Sequence, residues 1–344
     1  MNEKTYIVAE MAWGHDGSCD QAIELMQAAK DAGADAISIH ITYLEDYMVP
    51  HYGSGAGRVS AGKEHLAVYK YLDDINLSEA DWVRFCGAAR DADIDICIMP
   101  NDLASVSFSE AQLKPEYFVL AASTFAETDL LIEIARSNRP CLFRIGGATL
   151  GEIEEAVQLF RANGDGQITL LHGFQNYPTE IGEINIRQLS ALKEMFDCNV
   201  GLADHIDGAD PVAKVVPVAA LAFGSSCIEK HLTLDRSKKS EDFEAALDPE
   251  DFAEFVRNIR ASELALGAGA WRPLTPAALR YRDVSRKRMV AAGNLEEGAT
   301  ISREDIVFKR SDVGLYPSEV SGVVGRVLKR SMSENEGIEL GDLV

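Results

Sequence analysis

The sequence is poor in positive charge and lacks the long apolar runs of membrane proteins. Of its 344 residues, 33 are lysine or arginine and 55 are aspartate or glutamate, so the formal net charge is −22 at pH 7. So acidic a chain argues against nucleic acid and anionic membranes as partners. No apolar run of about eighteen residues occurs, so no membrane span is predicted.

Cysteine motifs, a signal sequence and a dinucleotide fingerprint are also missing. The six cysteines form no C-x-x-C pair, and most lie in apolar segments, which is typical of reduced thiols in a cytoplasmic protein. The N-terminus leads directly into a strand-like segment without the pattern of a secretory signal. We therefore expect a cytoplasmic location. No G-x-G-x-x-G follows the first predicted strand, which disfavours a doubly wound nucleotide-binding sheet.

Short apolar strands alternate with helices over most of the chain. Strands of four to six residues, each followed by a helix or by room for one, predict βαβ units and a parallel sheet. Eight such units fit a (β/α)8 TIM barrel best, with a doubly wound sheet as the alternative. We assign residues 1–267 to the barrel and residues 268–285, which lack helical or strand periodicity, to a linker. Residues 286–344 contain short β-like runs and predict a small β-rich domain.

Ionisable residues stand at the carboxyl ends of several predicted strands, where the catalytic groups of barrel enzymes collect. They include Glu10, His40, Arg144, His205, Glu229 and His231. Two imidazoles with a carboxylate and water suit a divalent ion such as Mn²⁺, which acts as a Lewis acid on a carbonyl. Glu10 is the candidate general base, and Arg144 is a candidate cation for an acidic substrate.

Three further strand ends, Asp102, His172 and Asp204, allow two interpretations. Each side chain could take part in the chemistry of the site. Each could equally cap a strand and hydrogen-bond to loop backbone, which is a common structural role for short polar side chains. The sequence alone leaves both interpretations open.

Several long motifs follow one another in an order typical of a single enzyme family. They are the opening strand and loop at 8–17, the AGADA element at 32–36, Leu170-Leu171-His172 with Tyr177-Pro178, VGLADH at 200–205, IEKH-x-TLD at 228–235, and the tail from 290 to 325. Together they resemble the sialic acid synthase family over essentially the whole chain. The tail resembles the antifreeze-like (SAF) domain with which these enzymes end.

The resemblance implies a TIM barrel joined to an SAF domain, in a homodimer whose SAF domains each cover the partner's barrel mouth. It implies an alkyl-transferring synthase that condenses phosphoenolpyruvate with an open-chain amino sugar aldehyde or related aldose. By position, His205 and His231 would hold Mn²⁺ or Mg²⁺, and Glu10 would be the essential carboxylate. Three positions match residues of the sugar pocket: Tyr177, Asp242 and Arg310.

The departures from the family pattern concentrate on the residues that hold phosphoenolpyruvate. The K-F-Q of the second strand is replaced by residues 38–40, so its lysine is lost and His40 becomes a new candidate catalytic group. The K-I-x-S of the fourth strand is also lost, and the fifth strand has Arg144 for a serine. Gln175 replaces an asparagine that would bind substrate. We expect Arg144 and a basic run that begins at Arg286 to restore part of the anion pocket.

Three functions remain open at this stage. The first is a synthase of this family that still uses phosphoenolpyruvate and forms a nonulosonic-type sugar acid. The second is a metal-dependent aldolase or lyase that acts on a keto acid without phosphate. The third is a sugar-acid sensor that keeps only the fold. The two metal-type histidines argue against the sensor, since a binding protein would not need both.

Overall fold

The computed structural model describes residues 4–52, 67–173, 178–267, 269–271 and 273–344. The chain separates into two compact units, Met1–Ala268 and Gly269–Val344. Two residues predicted to bind substrate, Gln175 and Tyr177, lie outside the described residues. Within the described ranges, every helix is too short or too polar to cross a membrane.

Parallel strands of the first unit form a closed barrel in which each strand pairs with the next and the eighth pairs with the first. This confirms the predicted (β/α)8 architecture. The strands are β1 (Tyr6–Glu10), β2 (Ala36–Ile41), β3 (Asp95–Pro100), β4 (Tyr117–Ala121), β5 (Cys141–Arg144), β6 (Ile168–His172), β7 (Asn199–Asp204) and β8 (Ser225–His231).

Helices follow the strands, and local signals in the sequence set where several of them begin and end. Ser18 accepts a hydrogen bond from the backbone N–H of Gln21 and starts the first helix, which ends at Gly33 with φ 89°. The helices are α1 (Cys19–Ala32), α2 (Leu44–Tyr47), α3 (Val68–Ile75), α4 (Glu79–Asp91), α5 (Leu103–Phe108), α6 (Thr128–Arg136), α7 (Leu150–Asn163), α8 (Gln188–Phe196), α9 (Val216–Leu221) and α10 (Pro249–Leu266).

The alternation of side chains along the strands decides which residues reach the interior of the barrel. Ile7 and Ala9 belong to the large apolar cluster that also contains the helix residues, whereas Val8 belongs to a second cluster with Leu142 and Cys227. Successive residues of a strand point to opposite faces. The residues two positions after Val8, Leu142 and Cys227 therefore also face inward, at the carboxyl ends of their strands, and these residues are Glu10, Arg144 and Glu229.

The second unit contains α11 (Pro276–Ser285) and the antiparallel strands β9 (Lys287–Ala291) and β10 (Ile306–Arg310). Its core includes Met289 and Ile338. Helix α11 lies in the predicted linker 268–285, where we expected neither helix nor strand, so that expectation is wrong for residues 276–285. The start signal is local: Thr275 accepts a hydrogen bond from Ala278, and proline occupies the first helical position.

Candidate functional site

A buried arginine joins two carboxylates at the carboxyl end of the barrel. The Nη2 atom of Arg144 contacts Oε2 of Glu10, and its Nε and Nη2 atoms donate to Oε2 of Glu229 at 3.1 and 2.9 Å. The three side chains are 7, 0 and 1 % exposed. The sequence analysis had placed Glu10, Arg144 and Glu229 at strand ends but had given no role to Glu229. Its contact with Arg144 joins residues 85 positions apart, which no local pattern indicates.

The guanidinium of Arg144 also reaches two further strands. Its Nη2 atom lies 3.4 Å from Oγ of Ser38, and its Nη1 atom lies 3.5 Å from the sulfur of Met99. Ser38 occupies the position at which the family motif has a lysine. Arg144 therefore brings a positive charge from β5 to the region from which the lysine is lost. Two protein carboxylates already pair with this charge, which the sequence could not indicate.

Glu10 is anchored on both sides of its carboxylate. The backbone N–H of Ala12 donates to Oε1 at 2.6 Å, and Nε2 of His40 lies 3.4 Å from the same oxygen. Burial would raise the pKa of Glu10, but the charges of Arg144 and His40 lower it, and the net pKa lies well below its usual range. Glu10 is thus held as an anion, and the structure brings together the three residues predicted to be catalytic: Glu10, His40 and Arg144.

Glu229 differs from Glu10 although both contact the same arginine. Burial and the charge of Glu10 raise the pKa of Glu229, Arg144 lowers it, and the result is about 7. Its Oε1 atom is buried and has no hydrogen-bond partner among the residues that the structure describes. A buried acceptor without a protein donor is costly, so this oxygen faces a place where a ligand or an ion would be favourable.

The two histidines predicted as metal ligands lie side by side. The ring centroids of His205 and His231 are 5.2 Å apart, and both side chains are buried. Burial lowers the pKa of His231 to about 3, and burial together with the charge of His231 lowers the pKa of His205. Both rings are therefore neutral at pH 7, as a metal ligand must be.

The spacing of the two rings fits a shared metal ion. Metal–nitrogen bonds of about 2.1 Å with neighbouring ligands at roughly 90–110° place two ring centres about 4.5–5.5 Å apart. No group of three or more histidine, cysteine or acidic side chains placed to hold a metal ion occurs within the described residues. Two protein ligands leave room for water and a substrate oxygen, which is the arrangement of an open catalytic site.

A buried ion pair links β7 and β8 on the faces of these strands that point away from the barrel interior. Nζ of Lys230 lies 2.7 Å from Oδ2 of Asp204 and donates to the carbonyl of Ile206 at 2.8 Å. Both side chains are at most 1 % exposed. Lys230 directly precedes His231, and Asp204 directly precedes His205. The pair thus fixes the two strand ends that carry the imidazoles.

Replacing Lys230 by methionine is expected to lower the free energy of unfolding by about 3–5 kcal/mol, because the carboxyl group of Asp204 would stay buried without its cation partner. Denaturant titration of the variant measures this. Lys214, a partly exposed lysine paired with Asp251 and Glu254, provides the control. Lys214→Met should cost at most about 1 kcal/mol. Equal losses in the two variants would contradict the role assigned to Lys230.

The strand-end residues Asp102, His172 and Asp204, for which two interpretations were open, all have hydrogen-bond or ion-pair partners in the structure. Asp102 accepts hydrogen bonds from the backbone of Ser105 and of Tyr43 at 2.7 and 2.8 Å. Nε2 of His172 lies 2.7 Å from the carbonyl oxygen of Ile184. Asp204 is the partner of Lys230. Each of these side chains therefore has a partner within the fold.

The remaining predicted residues lie in both units. Asp242 is half-buried in the first unit, and burial together with the charges of Glu241 and Glu10 raises its pKa to about 8. The predicted role of Asp242 in binding substrate stays a prediction. Arg286 and Arg310 belong to the second unit, the first beside β9 and the second at the end of β10.

A (β/α)8 barrel with ionisable side chains buried at the carboxyl ends of its strands, followed by a small β-rich unit, defines a two-domain barrel enzyme. The NeuB family model matches residues 25–270, and the SAF domain model matches residues 289–344. The chain belongs to the NeuB family. This confirms both the family and the fold that the sequence motifs had indicated.

Relatives align over nearly the full length of the chain. An uncharacterized protein of Methanocaldococcus jannaschii is 32% identical, covering 99% of this chain and 95% of the relative. The N,N'-diacetyllegionaminic acid synthase of Legionella pneumophila is 29% identical, covering 95% and 91%. The crystal structure of the sialic acid synthetase of Leptospira borgpetersenii has a TM-score of 0.70 at 24% identity, covering 83% and 93%, and shows the same fold.

Proposed function

We propose that this protein is a nonulosonic-type sugar acid synthase, which joins phosphoenolpyruvate to the aldehyde of an open-chain amino sugar or related aldose. Similarity over the full chain to a legionaminic acid synthase supports the class of reaction. The observation that carries the proposal is the convergence of two neutral imidazoles, His205 and His231, in the barrel mouth that also holds the anionic Glu10.

In this reaction carbon 3 of the enol acid attacks the aldehyde carbon, water adds at carbon 2, and phosphate leaves with cleavage of its C–O bond. His205 and His231 would hold Mn²⁺ or Mg²⁺, which when bound polarises the aldehyde oxygen. Glu10 would hold the attacking water and accept its proton, since Arg144 and His40 keep this carboxylate anionic. Arg144 would in turn fix the position of Glu10 and offer its guanidinium to the acid component.

One observation favours the second candidate, an aldolase that uses a keto acid without phosphate. The guanidinium of Arg144 already pairs with two carboxylates. The two positions that carry lysine in the family motifs are occupied here by Ser38 and Val119, which are both buried and uncharged. Each charge-assisted hydrogen bond that a phosphate loses costs about 1.5–3 kcal/mol. A keto acid such as pyruvate has only one carboxylate to neutralise.

The experiment that tests the proposal offers the purified protein phosphoenolpyruvate with a panel of hexosamines and related aldoses in the presence of Mn²⁺. Phosphate release and the mass of the sugar acid product are followed together, and the same panel is repeated with pyruvate. Glu10→Gln is the matched inactive control, because it keeps the shape of the side chain and removes its charge. We expect phosphate and product in equal amounts. Product from pyruvate alone would select the aldolase, and no product from either acid would overturn both.

A further inference from the structure

The second unit carries a concentration of positive charge in an acidic chain. The β9–β10 basic cluster consists of Arg286, Lys287, Arg288, Lys309 and Arg310. In the antiparallel pair Lys309 stands directly opposite Arg288, and Arg310 stands directly opposite Lys287. Like charges opposite one another destabilise a sheet. With a net charge of −22 the chain has many carboxylates, yet the cluster places cation against cation.

Within the described part of the chain, no carboxylate lies within ion-pair distance of any member of the cluster. Lys309 contacts the side-chain oxygen of Asn335, which is neutral. The same unit does pair another arginine: Arg330 lies 2.6 Å from Glu336 and 2.7 Å from Asp342. An arginine of this unit can therefore find carboxylate partners, whereas the charges of the β9–β10 basic cluster are not neutralised by any carboxylate within the described residues.

An aromatic ring holds two of the cations in place. The guanidinium carbons of Arg286 and Arg288 lie 4.2 and 3.9 Å from the ring centroid of Tyr316. Stacking on a ring fixes a guanidinium without using its N–H donors. The buried Nε atom of Arg288 has no acceptor among the described residues. Fixed, charged donors without a protein acceptor are what a planar or tetrahedral oxyanion requires.

We propose that Arg286 and Arg288, stacked on Tyr316, form a binding site for a small oxyanion in the SAF unit. The ligand chemistry is that of a phosphate or carboxylate group. Two sources share it: free phosphate, and an acidic group on a sugar. The site stands on contacts within the second unit and does not depend on the reaction proposed for the barrel.

The test is calorimetric titration of the full-length protein with inorganic phosphate at low salt. We expect saturable binding that is about tenfold weaker in both Arg286→Gln and Arg288→Gln, because each change removes a charged donor pair. Arg303→Gln is the matched control. It removes the same charge from an arginine that lies over Phe308 at 4.8 Å and is not part of the cluster. Its affinity for phosphate should stay within about twofold of the wild type.

Substitution of Tyr316 gives a second, independent test of the site. Tyr316→Phe keeps the ring and should bind phosphate like the wild type, whereas Tyr316→Leu should lose about fivefold or more because the guanidiniums are no longer held. Circular dichroism confirms that each variant is folded. Phosphate binding that is unchanged in Arg288→Gln, or that is absent in the wild type, would overturn the proposed site.

A last arm separates the two sources of the oxyanion. An aldose phosphate, a uronic acid and the neutral aldose are titrated against the same variants. If the sugar anions compete with phosphate in the wild type and this competition is lost in Arg288→Gln, the site is assigned to a sugar ligand. If phosphate binds and the sugar anions do not, the site is assigned to the free ion. Failure of these titrations would leave the synthase assay unaffected, so the two proposals are tested separately.

Discussion

Arg144→Met is expected to abolish product formation and to lower the free energy of unfolding by about 3–5 kcal/mol. The reason is electrostatic: without the guanidinium, Glu10 and Glu229 would share a buried site with no cation between them. Activity would fall because Glu10 would lose the charge that keeps it anionic and in place. Denaturant titration and the coupled phosphate and product assay measure the two effects.

Two further variants separate the buried charge from other effects of losing an arginine. Arg136 pairs with Glu133 on the surface of α6, so Arg136→Met should cost less than about 1 kcal/mol. Adding Glu229→Gln to Arg144→Met should recover part of the lost stability, since it removes a buried carboxyl group whose ionisation is unfavourable beside Glu10. A stable Arg144→Met protein, or a double variant less stable than the single one, would contradict the proposed charge arrangement.

His231→Ala and His205→Ala should each weaken Mn²⁺ binding by at least about 100-fold and remove product formation. Each change takes away one of the two imidazoles that we propose as the protein ligands, and a single ligand cannot hold the ion in competition with water. Titration of free Mn²⁺ by electron paramagnetic resonance measures the affinity without any need for substrate. The expected loss is therefore visible even where activity is not assayed.

His172 provides the matched control for the two histidines. It stands at the end of β6, and its Nε2 atom is engaged by the carbonyl of Ile184, so it has a structural partner in the fold. His172→Ala should change stability while leaving Mn²⁺ affinity within about twofold of the wild type. Unaltered Mn²⁺ binding in both His205→Ala and His231→Ala would remove the metal from the proposed mechanism.

The barrel was predictable because its information is local. The period of two in the strands and the capping signals of the helices act over a few residues, so the alternation of strands and helices can be recognised from the sequence. The inward placement of Glu10 and His231 also follows from strand alternation. Helix α11 could have been predicted from the same kind of signal, the threonine and proline at 275–276.

The sequence by itself determined which ionisable residues stand at the barrel mouth and to which family the chain belongs. Only the tertiary structure decided their partners. Arg144 contacts Glu10, which is 134 residues away in the sequence, and Glu229, which is 85 residues away, and Asp204 pairs with Lys230. The physical reason is that strand direction follows from neighbouring residues, whereas a Coulomb interaction depends on distances and on exclusion of water, and both exist only when the barrel has closed.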